Sequence, residues 1–324
     1  MKWGDIKSTM DNVNIIGHIN FNSQQDVSKK YELTDDCIEI DDHKLYRIKA
    51  LRTFGDVTEG NLGGYIEKED NLAHDGTCWV YNDAKVYGNA KVCDSAKVRK
   101  KSIVVDACIC GATSIHDNAK IYGNAKISGN AIICDNVKIF GCCKIFDNAI
   151  ICDNAFINGS NVFIYGQATI RDNVSICDNV SIYDCAIVCG DAILCGYVRV
   201  FEHAYVCGNI KLSDHTSLGG NAYVKNNHDV LYFKGFDSEF SNITFFRTSS
   251  QFINVIINGR FFGDMSGFRL VVKDTYGHNH CAKEYLKISD LVEDIFSHYW
   301  YHKPGFFNMI KDMIKFYLDH IKDR

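Results

Sequence analysis

The stretch "NAIICDNVKIFGCCKIFDNAIICDNAFING", residues 130–159, nearly repeats itself, with Ile133, Ile139, Ile145, Ile151 and Ile157 at every sixth position and Ala or Val four places after most of them. A six-residue period matches neither an amphipathic helix at 3.6 nor a half-buried strand at 2. It matches a solenoid whose short strands each turn one large and one small residue inward between corners. Upstream the column runs Val80, Val86, Val92, Val98, slips by one residue to Ile103, and continues Ile109, Ile115, Ile121, Ile127. Downstream the chain gains one residue after "GSNV" and resumes at Ile164, Ile170, Ile176, Ile182, Val188, Leu194, Val200, Val206, Leu212, Leu218 and Val224.

The residues between the aliphatics have turn chemistry. Gly or Asp stands two places after each, as at Gly123, Gly129, Asp135, Gly141, Asp147 and Asp153, and Asn commonly follows. Gly and Asn tolerate the left-handed backbone region, and Asp accepts a local backbone hydrogen bond, so each pair marks a corner. Three such units make a triangular coil. The segment predicts about eight coils at a spacing of roughly 4.8 Å, a prism about 40 Å long.

Composition narrows the class. A chain of 324 residues, 46% hydrophobic, is long enough for a large core and more than one unit. A net charge of −5 with an isoelectric point near 6.2 gives no reason to expect nucleic-acid binding. No stretch has the 18 or so apolar residues of a membrane span, and "MKWGDIKSTMDN" lacks the apolar region of a signal peptide. Fifteen cysteines placed in the repeat register, without an export signal, read as reduced thiols of a cytoplasmic protein.

The repeat region resembles the left-handed parallel β-helix of the hexapeptide-repeat acyltransferases. More specifically, "YRIKALRTFGDVTEGNLGGYIEKEDNLAHDGTCWVYNDAKVYGNAKV" (46–92), "GRFFGDMSGFRLVVKDTYG" (259–277) and "KEYLKI" (283–288) resemble the YdcK family of bacteria and prophages. That resemblance implies an all-β solenoid with an acyltransferase-like fold, commonly a trimer, and it is a fold analogy rather than evidence of chemistry. The extent of the six-residue register divides the chain into an N-terminal cap (1–71), the left-handed β-helix (72–228) and a C-terminal mixed cap (229–324). In the last, residues 229–262 read as irregular strands. Tyr285, Ile288, Leu291, Val292, Ile295 and Tyr299 line one helical face, and Pro304 opens a second amphipathic helix. This pair reads as a cap over the last coil, with a membrane-surface helix as the rival.

The neighbours of each inward aliphatic point out, and they distinguish the faces. One face carries Ser114 and His116, Ile132 and Cys134, Ile150 and Cys152, Thr169 and Arg171, Ile187 and Cys189, Tyr205 and Cys207. So apolar an outer surface predicts an interface, either a homotrimer contact or one covered by the C-terminal segment. A second face carries the aromatic ladder Phe146, Tyr165, Tyr183 and Phe201, beside Lys126, Lys144 and Arg199. Stacked rings stabilise the solenoid, and they also offer a platform to a planar or anionic ligand.

The expected function is a rigid scaffold or binding protein with a protein partner. The alternative is an acetyl-CoA-dependent O- or N-acetyltransferase. In the resembling enzymes a histidine between subunits takes a proton from the acceptor, which attacks the acyl thioester. His116 occupies the matching place on the interface face, and Arg171 is the candidate for a CoA phosphate. His74, His203 and His215 are weaker candidates, the last two sitting where Asn usually forms the corner. Such enzymes commonly extrude a long loop to wall the acyl-CoA groove, whereas this register admits one extra residue near Ser160–Val162. Asp117, Asp135, Asp153 and Asp172 form a carboxylate column that either holds a cation or makes corner hydrogen bonds. The stacked cysteines Cys134/Cys152, Cys177/Cys195 and Cys189/Cys207 lie along lines, unlike a tetrahedral zinc set, so no metal is expected.

Overall fold

A computed structural model describes residues 29–235 and 238–298. The chain is a parallel β-solenoid of about nine turns, one more than the period suggested, bounded by three sheets of 11, 9 and 8 strands. Each coil gives one short strand to each sheet, as in Ser114–Ile115, Lys120–Ile121 and Lys126–Ile127, and the next coil repeats them in register. The aliphatic column is fully buried, and so is the smaller residue two places before it, as at Ala119/Ile121, Ala125/Ile127 and Ala131/Ile133. Ser102, Thr113 and Thr216 fill the small position by donating to the carbonyls of Arg99, Cys110 and Ser213, each at 2.7 Å, which satisfies a hydroxyl that burial would otherwise orphan.

One register assignment is corrected. Val104, not Ile103, is the buried member of its strand, so the one-residue contraction falls between Val104 and Ile109. The corners adopt the left-handed conformation, for example Asp94 (φ 58°), Gly111 (φ 70°), Asp135 (φ 60°) and Asp153 (φ 60°). They are tied along the axis: Asp135, Asp153 and Asp172 carboxylates accept the backbone N–H of Asp153 (3.2 Å), Asp172 (2.9 Å) and Gly190 (2.8 Å). Beside them Asn118, Asn136, Asn154, Asn173 and Asp191 form an amide ladder with steps of 3.2, 3.2, 3.1 and 2.9 Å.

At the N-terminal end, strands Tyr31–Ile40 and His43–Ala50 form an antiparallel hairpin. Leu62–Ile66 joins that hairpin to the coils by pairing parallel with Lys85–Tyr87. The "LGG" of Leu62–Ile66 is required by close packing. A Cβ on Gly63 would come within 2.6 Å of Ile48 and of the Val80 carbonyl, and one on Gly64 within 2.5 Å of the Ala84 carbonyl. Tyr31, Ile48, Phe54 and Trp79 continue the solenoid core into this cap.

At the other end the expected irregular strands form an antiparallel sheet of four, Val230–Lys234, Asn242–Arg247, Ile253–Ile257 and Arg260–Asp264, with one register shift between Val255 and Ile256. A helix the sequence reading did not anticipate, α1 (Met265–Tyr276), follows directly, with Asp264 capping it by accepting the Gly267 N–H at 2.9 Å. Then comes α2 (His280–His298). Val230, Phe246 and Ile256 turn toward the solenoid core, while Leu231, Phe245 and Val255 face the helices with Phe268, Tyr285, Ile288, Val292 and Phe296. The Ser217 N–H donates to Thr244 Oγ1 (3.1 Å), joining this sheet to the last coils. Tyr299, Pro304 and the second amphipathic helix lie outside the described residues.

Candidate functional site

The nine-stranded sheet carries the candidate interface and His116. Its strands include Lys97–Val98, Ser114–Ile115, Ile132–Ile133, Ile150–Ile151, Thr169–Ile170, Ile187–Val188 and Tyr205–Val206. Ile132 and Ile150 are directly paired and remain 37% and 38% exposed, so none of the described residues covers them. Cys134, Cys152, Ile187, Tyr205 and Cys207 are half-buried around them. Cys189 departs from the expected outer surface: it is buried, with its Sγ donating to Tyr205 Oη at 3.4 Å.

His116 is half-buried at the N-terminal end of this strip. Its Nδ1 lies 2.5 Å from Asp117 Oδ2, and Lys100 Nζ pairs with the other oxygen of that carboxylate. Asp117 is therefore held below the usual carboxylate range, first by the Lys100 hydrogen bond and then by His116. The carboxylate fixes the ring through Nδ1 and leaves Nε2 as the nitrogen able to accept a proton, the arrangement a general base requires. Sequence reading had placed Asp117 only in a corner column. Its partnership with His116 follows from adjacency and from the corner turning the carboxylate back toward the ring.

Arg171 stands three coils further along, roughly 14 Å at the spacing of adjacent strands. It is half-exposed, 4.0 Å from Asp172. The structure does not bring it to His116. Two of the weaker candidates have packing roles: His215 stacks on Tyr197 at 4.7 Å, and His74 stacks on Tyr31 at 4.4 Å while its Nδ1 accepts the Lys30 N–H at 3.1 Å.

The aromatic ladder stands as expected on the eight-stranded face. Phe146, Tyr165, Tyr183 and Phe201 stack with centroids 4.8, 4.9 and 5.3 Å apart and nearly parallel planes. Arg199 closes its upper end, donating to Tyr183 Oη at 2.7 Å. Tyr183 and Phe201 are buried, and Phe201 lies over Gly219, where a Cβ would come within 2.5 Å of the ring. Only its lower end, beginning at Phe146, presents ring surface to a ligand.

Among the described residues three groups bring metal-ligating atoms within 4.8 Å of one another: Cys93/Asp94/Cys110, Asp135/Cys152/Asp153 and Cys177/Asp178/Cys195. The Asp135 carboxylate already accepts Cys134 Sγ and the Asp153 N–H, and burial pushes the Cys134 and Cys152 thiols up, so that group is poorly disposed to release protons to a cation. Cys177 and Cys195 form a disulfide across adjacent coils, which corrects the expectation that every thiol is free. Cys93, Cys108 and Cys110 lie on or directly after neighbouring strands of the eight-stranded face.

No family model matches the sequence. The chain is similar, 37% identical over 62 residues, to the uncharacterized acetyltransferase YdcK of Escherichia coli (strain K12). The aligned segment covers 19% of this chain and 16% of that relative. Together with the solenoid, this supports an acyltransferase-like protein and leaves the activity open. Among the described residues no helix is long and apolar enough to cross a membrane.

Proposed function

We propose that this chain is a hexapeptide-repeat, acyltransferase-like solenoid that serves as a rigid assembling scaffold, a homotrimer joined through its nine-stranded face. The observation that carries the reading is the Ile132–Ile150 pair, more than a third exposed on a flat, regular sheet. Two adjacent apolar side chains left open on a regular sheet face call for a partner surface. Three copies related by a threefold axis along the prism, each turning this strip toward that axis, would bury it against two neighbours. The partner chemistry is then a second and third copy of this chain, and the other faces are free for a further protein. Sedimentation velocity of Ile150→Asp tests this directly. The variant is expected to fall from trimer to monomer mass with an unchanged far-ultraviolet spectrum, and an unchanged oligomeric mass overturns the assignment.

A second reading is favoured by His116 and Asp117. At a subunit boundary, Nε2 of His116 would take the proton of an acceptor hydroxyl or amine. The acceptor atom would attack the thioester carbonyl of acetyl-CoA, the carbon–sulfur bond would break, and the proton would leave with the CoA thiol. Calorimetric titration of acetyl-CoA and CoA into the reduced protein, with His116→Ala alongside, tests it. Saturable binding with transfer lost in the variant establishes the reaction; no heat at millimolar ligand leaves the scaffold alone.

A further inference from the structure

Cys93, Cys108 and Cys110 stand on the eight-stranded face in the first coils, away from His116 and from the apolar strip. Val92 pairs with Ile109, so Cys93 and Cys110, each following its inward aliphatic, are stacked one coil apart. Their sulfurs lie within 4.8 Å of each other. Cys108 flanks Ile109 on the other side and faces outward like Cys110. Its register partners are lysines on both sides, Lys91 in the preceding coil and Lys126 in the next. All three thiols are partly exposed.

We propose that these residues form a peroxide-reactive three-thiol centre in which Cys108 is the nucleophile and Cys93 and Cys110 resolve it into a disulfide. The electrostatics favour that division of roles. The neighbouring thiols Cys110 and Cys93, and then the Lys126 and Lys91 ammonium groups in register on either side, hold the Cys108 thiol below its usual range. Cys93 and Cys110, stacked beside the Asp94 carboxylate, are pushed up. A partly exposed thiolate between two ammonium groups is the environment in which cysteine reacts.

The steps balance. The Cys108 thiolate attacks a hydroperoxide, the O–O bond breaks, Cys108 becomes a sulfenic acid and an alcohol or water leaves. Cys93 Sγ attacks that sulfur and expels water, giving a Cys93–Cys108 disulfide. Cys110 then attacks Cys93 Sγ and releases Cys108, the better leaving group because its thiolate is the more stabilised. The net change is two thiols and one hydroperoxide to one disulfide, one alcohol and one water. The final pair fits this solenoid: Cys177 and Cys195, also stacked one coil apart, close into a disulfide with Cα atoms 4.8 Å apart.

The test uses the full chain, reduced under anaerobic conditions and given one equivalent of hydrogen peroxide. Aliquots are trapped with dimedone or an alkylating reagent and mapped by peptide mass spectrometry. The exposed thiols Cys37 and Cys142 are internal references. Cys108 is expected to trap as a sulfenic acid, and Cys93–Cys110 to oxidise about tenfold or more faster than the references. Lys91→Met with Lys126→Met should slow this about tenfold, while the charge-preserving arginine pair keeps the original rate. Cys108→Ser should bring Cys93–Cys110 oxidation down to the reference rate. Cys108 reacting no faster than Cys37 and Cys142 overturns the proposal, and so does a correctly folded methionine pair that oxidises at the original rate.

Discussion

Between Trp79 and Val224 the buried side chains are mostly aliphatic or small, each packed on its counterpart in the coils above and below. Between Val230 and His298 aromatic rings make up a much larger share of the buried side chains and come together from distant parts of the segment. Phe245 meets Phe233 and Phe268 edge-on, at 5.8 and 5.3 Å, and Phe240 meets Tyr276 and Tyr285 at 5.2 and 5.1 Å. The coils are a stack in which each layer depends on its neighbours, and stability there is a sum of layer and interface terms. The C-terminal unit is a small two-layer domain whose sheet and helices are buried together or not at all. Damage should therefore spread along the axis in the first region and be all-or-none in the second.

The largest effect expected is from Ile151→Asp. A carboxylate in the middle of the aliphatic column has no polar partner, and its burial costs about 5 kcal/mol or more. Hydrogen exchange should show protection lost first in the coils around residue 151 and retained longer in the outermost ones. Simultaneous loss along the whole prism would show that the coils are one cooperative block. Phe268→Ala comes next, at about 3–5 kcal/mol, because it opens a cavity between sheet and helices. Protection should disappear together in residues 230–298 and persist around residues 120–180. If the coils lose protection equally, the two regions are one unit.

Legibility in the sequence divides along the same line. The coils could be read because one inward residue per six positions is a local rule, repeated until accident is excluded. The rule failed where the chemistry was degenerate. In "KSIVVDAC" Ile103, Val104 and Val105 are equally apolar, and the choice of Val104 is fixed by Ser102 occupying the small buried position two places before it. Helix α1 went unread because "MSGFRLVVKDTY" has a Gly and a β-branched pair, and its helicity rests on the Asp264 cap and on Phe268 packing against the sheet. At the candidate site His116 was found from its face alone. Asp117 as its partner needed the corner geometry that turns the carboxylate back toward the ring, and the approach of Cys93 to Cys108 and Cys110 needed the register between coils, which the one-residue contraction before Ile109 shifts.

A smaller effect sharpens the picture of how coils are joined. Asn136→Ala removes two steps of the amide ladder, to Asn118 and Asn154, each at 3.2 Å. These are exposed neutral hydrogen bonds, so the loss should be about 0.5–1 kcal/mol, read from the urea midpoint with an unchanged slope. A larger loss would mean that the ladder, and not the aliphatic column, sets the interface term between layers.

The smallest effect concerns how the N-terminal cap is held to the coils. Asp56 accepts from Tyr81 Oη at 2.6 Å and from Lys97 Nζ at 3.0 Å, with Arg99 at 3.3 Å. The tyrosine hydrogen bond, followed by the lysine, lowers its pKa below the ordinary 3.8. A carboxylate depressed in the folded state contributes fully above its unfolded value and loses that contribution as pH falls through the folded one. The window therefore lies below 3.8, and at neutral pH the tie is intact. Because Asp56 is about half exposed, solvent screening limits the contribution to about 0.5 kcal/mol. Asp56→Asn should lower stability by that small amount at pH 7 and by less as the pH drops below the carboxylate range. A variant whose deficit grows on acidification would show that the cap is held by the neutral acid, and that the charge at Asp56 is incidental to joining the cap to the first coils.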